Sequence, residues 1–244
     1  MTAALLDIRA AHVVVGAAPE RFELEVEQFR LERGQRVAIV GPSGSGKSLF
    51  LELVGLIRAP AAAQLFTMAT PDGPFDVAAA WNQSDLVGLA RRRMLGIGFL
   101  LQSGGLLKSL SVDENVQLPA QLAGRPLSTG NHLVEALGLI GQRRLKPAAL
   151  SGGQRQRAAL ARAMAAQPEL LIADEPTAAL DPGNADKVME LIVSAVETGH
   201  LQAAIVATHD LDRVRRFGLQ MVHIEARSTA GGGAGTLANF GAAA

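Results

Sequence analysis

Residues 41 to 48, Gly-Pro-Ser-Gly-Ser-Gly-Lys-Ser, place three glycines, a lysine and a serine where a chain could grip a phosphate. Glycines let successive backbone N–H groups converge on one point, and a helix starting near Lys47 would add the positive end of its dipole there. Lys47 would reach the β- and γ-phosphates as a point charge, and the Ser48 hydroxyl would ligate Mg²⁺. A flexible Gly/Ser turn would have the same composition. The flanks argue against it, because Arg36 to Val40 read as a buried strand and Leu49 to Ile57 as an apolar helix. A loop between strand and helix is the context a nucleotide-phosphate site requires.

Other chemically capable residues follow apolar runs. Glu169 to Ala173 leads into Asp174-Glu175, with Pro176 as a stop; Ala203 to Ala207 leads into Thr208-His209-Asp210; Met94 to Leu101 leads into Gln102 and the flexible Ser103-Gly104-Gly105. In a parallel sheet, ligands sit at the carboxyl ends of strands, so Gln102, Asp174, Glu175 and His209 can all converge on the phosphate loop. Phosphoryl transfer to water needs a metal, positive groups on the γ-phosphate and a group that orients the attacking water. Asp174 would hold Mg²⁺ beside Ser48, Glu175 is the candidate general base, and His209 the candidate γ-phosphate sensor. Two adjacent acids can also be a solvated turn and a lone histidine a structural residue, but solvated turns seldom end apolar runs directly. Leu150-Ser151-Gly152-Gly153-Gln154 offers a second helix N-terminus, with Ser151 as cap of a helix continuing through Ala165.

The elements that must position these groups are partly legible. Residues 5 to 15 and 22 to 31 read as strands, and Phe22-Glu23-Leu24-Glu25-Val26-Glu27 alternates as one strand of a half-exposed antiparallel sheet would. Residues 60 to 85 carry no readable pattern, and Trp81 within them is expected to be a packing residue. Residues 111 to 166 read as mainly helical: Ser111 with Glu114 forms a capping box, and Pro119 and Pro126 are expected to break the run. Met221 to Ile224 is a further strand. From Ala230 onward the chain is Gly/Ala-rich and expected to be disordered or loosely attached.

The chain of 244 residues suffices for one large α/β core, or a core with a subdomain. Its charge is balanced, 23 basic against 23 acidic residues, so no basic footprint suggests nucleic acid as a direct partner. Arg91-Arg92-Arg93 and Arg215-Arg216 fit solvated helix faces. Without cysteine, disulfides and thiolate metal sites are excluded, which suits a reducing cytosol. No uncharged apolar stretch reaches about 18 residues and no basic-then-apolar leader opens the chain, so neither membrane spanning nor secretion is expected.

The motif set resembles the ATP-binding subunits of ABC transporters over residues 5 to 225. Its most specific element is Leu150-Ser151-Gly152-Gly153-Gln154, similar to that family's signature motif. The resemblance implies a P-loop NTPase α/β fold with a mainly parallel sheet core, an N-terminal antiparallel β subdomain and an inserted helical subdomain at about 103–166. All of this would lie in one domain, 1–229, followed by a tail at 230–244. It places Gln102 at the Q-loop, Asp174 and Glu175 at the Walker B pair, Ala178-Ala179-Leu180-Asp181 at the D-loop and His209 at the switch histidine. Catalytic roles then fall to Glu175, His209, Gln102 and Lys47, and metal binding to Ser48, Gln102 and Asp174. ATP would be held by Gly41, Pro42, Ser43, Gly44, Ser45, Gly46, Lys47, Ser48 and Leu49 of one copy, and by Ser151, Gly152, Gly153 and Gln154 of a second copy paired head to tail. The implied activity is Mg²⁺-dependent ATP hydrolysis powering a separate integral-membrane permease, with the chain cytoplasmic and peripheral on the inner face of the membrane. A non-transport mechanical ABC ATPase is the alternative. The stretch Leu106 to Pro119, with Ala173 to Thr177, is similar to the lipoprotein-release, macrolide-efflux and cell-division subgroup.

Three positions depart from the family pattern. The chain has no tyrosine, and Val13-Val14-Val15 occupy the strand where an aromatic usually stacks on adenine; Phe22 is the one candidate substitute. Leu49 stands where a second hydroxyl residue is common, and Ala178 replaces the usual D-loop serine.

Overall fold

The computed structural model describes residues 4–17, 21–229 and 232–240. In chain order the elements are β1 (Leu6–Val15), β2 (Arg21–Leu31), β3 (Arg36–Val40), α1 (Lys47–Val54), β4 (Leu65–Thr70), β5 (Gly73–Asp76), α2 (Val77–Asn82), α3 (Leu86–Gly96), β6 (Ile97–Leu100), α4 (Val112–Leu122), α5 (Ser128–Ala136), α6 (Gly152–Met164), β7 (Leu170–Asp174), α7 (Pro182–Glu197), β8 (Ala203–Ala207), α8 (Leu211–Arg216), β9 (Gln220–Thr229) and β10 (Gly232–Phe240). The chain divides into two compact units, residues 1–93 with 207–244, and residues 94–206.

In the first unit the strands lie in the order β5-β4-β1-β2-β10-β9-β3. β1 and β2 are antiparallel, with Val13 opposite Leu24 and Ile8 opposite Phe29. The alternation expected in β2 holds at Leu24 and Val26 and then changes phase, since Phe29 and Leu31 are the next buried residues. β1 changes phase too: Leu6 and Ile8 are buried before Ala10, and Ala11 and Val13 after it. Ala10 has φ 47°, and this one left-handed residue swaps the faces of the strand. Phe29 of β2, buried after the phase change, lies edge-on to Phe50 of α1 at 4.9 Å and stacked on Phe240 of β10 at 5.3 Å. The unreadable stretch 60 to 85 supplies the β4–β5 pair and α2, which Asp76 caps by accepting from Ala79 N at 2.9 Å. Trp81 lies in α2, half-buried.

The Gly/Ala-rich tail is not loosely attached. Residues 232–240 form β10, which runs parallel to β2 and antiparallel to β9, filling the place between them. Its glycines serve close packing: a Cβ on Gly233 would lie 2.9 Å from the Phe22 ring, and one on Gly235 would overlap the carbonyl oxygen of Ser45. Residues 230–231 and 241–244 of that expected tail lie outside the described residues.

In the second unit the strand order is β8-β7-β6, with β6 and β7 parallel. The strand expected from Met94 begins only at Ile97, because α3 continues through Gly96. The capping box of α4 is present, with Glu114 N donating to Ser111 Oγ at 3.3 Å and Ser111 N to Glu114 Oε2 at 2.7 Å. Contrary to expectation, Pro119 does not break this helix but sits inside it. Proline removes one backbone bond, and burial of Val112, Val116 and Ala120 on the inner face holds the helix across the gap. α4 packs on α5 and α6, and the missing side chain of Gly130 admits Val116 between them. Asn115, fully buried, donates to the carbonyls of Leu107, Leu110 and Ser111 and accepts from Leu107 N at 2.7 Å, fixing the loop 107–111 to α4.

Candidate nucleotide-binding and catalytic site

The phosphate loop belongs to the first unit and joins β3 to α1. Gly46, at φ 100°, is the N-cap of α1 and provides no side-chain bond, and the first turn carries no acidic residue. The first-turn amides and the dipole end are therefore left to an external anion. Pro42, Ser43, Gly44 and Ser48 are exposed, while Ser45 is fully buried and its hydroxyl has no partner. Lys47 Nζ donates to the carbonyls of Gly41 at 2.8 Å and Pro42 at 2.9 Å, which places its charge along the loop crest. The loop has a fitted back wall: a Cβ on Gly41 would lie 2.5 Å from Ile224 O, and one on Gly46 3.0 Å from the Phe22 ring. Phe22 is thus packed against the loop itself. The Leu49 side chain is buried, so this position offers a phosphate only its backbone.

His209 lies in the same unit, exposed, just after β8. Thr208 N donates to Ile39 O at 3.2 Å, fixing the start of this segment beside the strand that feeds the phosphate loop. Asp210 then caps α8, accepting from Arg213 N at 2.9 Å and pairing with the Arg213 guanidinium.

The second unit holds Gln102, residues 150–154, Asp174, Glu175 and residues 178–181. Ser151 and Gln154 form a reciprocal capping box at the start of α6, so the N-terminus of this helix is rigid and presents Gly152 and Gly153. A Cβ on Gly153 would lie 3.1 Å from Leu180 Cδ2 and 3.4 Å from Ala179 O, so the two glycines allow this helix end to rest on the 178–181 turn. Asp174 ends β7 with 8% exposure, and Glu175 follows at φ 50°, a left-handed value uncommon for a side-chain-bearing residue. The chain then turns through Ala178 N to Glu175 O at 3.3 Å and Leu180 N to Thr177 O at 3.1 Å, before Asp181 caps α7. Hydrogen bonds from the Asn184 side chain and backbone hold the Asp181 carboxyl below its ordinary range. Gln102 is exposed after β6, and its loop is tied down by Arg162 of α6, which donates to Gly105 O. Burial pulls the Arg162 pKa below its ordinary value.

Two residues escaped the sequence reading, Gln156 and Arg162. Gln156 is buried, and its Nε2 donates to Glu175 O at 3.0 Å. Its signal was present as a polar residue on the helical face shared with Ala159, Leu160 and Ala163.

A family model described as ABC transporter matches residues 24–178. The chain belongs to the ABC transporter ATPase family. The lipoprotein-releasing system ATP-binding protein LolD of Paramagnetospirillum magneticum is 37% identical over 200 residues, covering 80% of this chain and 83% of that protein. LolD of Gluconobacter oxydans is 44% identical over 195 residues, 78% of this chain and 80% of its own length. The macrolide export ATP-binding/permease protein MacB of a Shewanella species is 34% identical over 92% of this chain, which spans 34% of MacB. The fold is similar to the dimeric structure of the bacterial ABC transporter cassette MJ0796, with TM-score 0.79 and 29% identity over 90% of this chain and 94% of that one. It is also similar to the same cassette in a post-hydrolysis state with ADP and Pi, with TM-score 0.76 and 28% identity over 89% and 93%. The ABC ATPase fold expected from the motifs is therefore the fold observed, and the protein is an ATP-binding ABC ATPase. Among the described residues no helix is long and apolar enough to cross a membrane.

Proposed function

We propose that two copies of this chain pair head to tail around ATP, and that closing and opening of the pair drives a separate membrane permease of the lipoprotein-releasing kind. The supporting observation is the presence of two independent anion-seeking helix starts in different units, the phosphate loop before α1 and the Ser151-capped start of α6. A sandwiched γ-phosphate would use one such helix start from each copy. In this reading residues 41–49 hold the phosphates and residues 151–154 of the other copy cover them. The hydroxyl of Ser48, the carboxylate of Asp174 and the amide oxygen of Gln102 are hard oxygen donors of the type that suits Mg²⁺, which would neutralise charge on the phosphates. Glu175 orients and deprotonates the attacking water, Lys47 and His209 stabilise the γ-phosphoryl oxygens, and Gln102 reports occupancy to the membrane partner. Loss of the γ-phosphate removes the group both copies hold, so ATP and ADP favour different states of the pair.

The 37–44% identity to LolD proteins over most of their length favours release of acylated proteins from a membrane as the work performed. The chain would then sit peripherally on the inner face of the membrane through its permease. The test has two arms. With ATP, Glu175→Gln should form a stable dimer in size-exclusion chromatography, and Ser151→Arg added to it should abolish that dimer while leaving ATP binding by the monomer intact. A Glu175→Gln protein that remains monomeric with saturating ATP would reject the pairing. Purification from detergent extract should yield a membrane permease, and that complex in vesicles should release an acylated protein on ATP addition. Release of a small hydrophobic compound instead would assign the chain to the efflux branch.

A further inference from the structure

The buried amide of Gln156 connects two functional elements of the second unit. It projects from α6, the helix whose capped start carries Ser151 to Gly153, and donates at 3.0 Å to the backbone carbonyl of Glu175. Glu175 adopts φ 50°, a conformation that a side-chain-bearing residue holds only when its surroundings impose it. The second tie is steric, for Gly153 and Gly152 of the same helix lie against Leu180 and Ala179 in the turn that follows Glu175. Helix α6 therefore grips the carboxylate segment at its start and at the far end of its turn. The arginines of the same helix go elsewhere, Arg155 to Leu150 O, Arg157 to Gly153 O and Leu137 O, and Arg162 to Gly105 O, whereas Gln156 donates to Glu175 O.

We infer that Gln156 is a positioning residue that holds the Glu175 backbone in its left-handed conformation and makes the aim of that carboxylate depend on the seating of α6. The inference rests on the proposed roles of Glu175 and Ser151. If α6 covers the nucleotide of the opposite copy, its movement on engagement is delivered through Gln156 to the base of its own copy. A site would then become competent in hydrolysis when its copy has seated its signature helix on the other nucleotide.

The experiment uses the full chain. Gln156→Met keeps the volume and removes the donor; kcat should fall about tenfold or more while the KM for ATP stays within about twofold, because the lost interaction orients the reacting group rather than binding substrate. ATP-driven dimerisation of the Glu175→Gln, Gln156→Met double variant should match that of Glu175→Gln. Gln156→Glu supplies a donor only when protonated, so its kcat should recover relative to Gln156→Met as pH falls. Wild-type kcat in Gln156→Met overturns the inference, as does a loss of kcat accompanied by loss of ATP-driven dimerisation, or a Gln156→Glu profile identical to that of Gln156→Met at every pH. Wild-type turnover by Glu175→Gln would instead reject Glu175 as the base. An inactive Glu175→Gln beside a fully active Gln156→Met removes this inference alone.

Discussion

Gly235 of β10 lies so close to Ser45 of the phosphate loop that a Cβ on the glycine would overlap the serine carbonyl oxygen. The C-terminal strand is therefore part of the loop's supporting wall. Backbone cannot retreat as a flexible side chain can, so a substituent here must displace either β10 or the loop. We expect Gly235→Ala to weaken ATP binding at least tenfold and to destabilise the fold by about 1–3 kcal/mol, the usual cost of overpacking. Nucleotide titration and urea denaturation check both, and wild-type affinity in Gly235→Ala would show that the loop is independent of β10.

Phe22 lies against Gly46 and Gly233, so its ring is committed to the loop. An aromatic stack on a base is worth about 1–3 kcal/mol, and without one ATP and GTP should bind with less than about tenfold discrimination. Phe22→Ala should lower the Tm and leave that ratio unchanged. A strong preference for ATP in the wild type, lost in Phe22→Ala, would assign the ring to the base instead.

Pro119 interrupts α4 at a position where its N–H would otherwise bond to the carbonyl of Asn115. Pro119→Ala should restore the bond and remove the ring clash. Proline also restrains the unfolded chain, an opposing effect of about 0.4–1 kcal/mol. The net gain in stability should be about 2–2.6 kcal/mol, the internal cost of proline being about 3 kcal/mol. Urea denaturation measures it, and a less stable Pro119→Ala would contradict this account.

Asp181 has a folded pKa below its unfolded value, held there by Asn184. The stabilisation is present above the unfolded aspartate value, about 3.9, and is lost as pH falls through the lower folded value. The Tm should therefore drop more steeply below about pH 4 in the wild type than in Asp181→Asn, whose cap does not titrate. Parallel acid limbs in the two proteins would show that the cap contributes nothing.

The sequence made the local motifs more legible than the scaffold. Short motifs with obligatory spacing survive any context, so residues 41–48 and the two capping boxes at Ser111 and Ser151 stand where their residue types put them. The tail looks loose from composition because glycine has two uses, freedom and close approach, and composition cannot separate them; Gly233 and Gly235 serve the second. Pro119 looks like a breaker for a related reason, since the tertiary burial that outweighs it is not local. The phase change at Ala10 had no sequence signal, because alanine is not a residue whose type announces a left-handed conformation. Gln156 was visible only as a polar residue on a buried face, and its partner is a backbone atom 19 positions away, which no motif encodes.

The four hydrogen bonds that close around Asn115 bear on how force could pass through the second unit. A loop anchored only by its ends absorbs a push by bending. Residues 107–111 are instead tied to α4 through both a backbone N–H and backbone carbonyls, so loop and helix start form one piece, and a load on the loop falls on the helix as well.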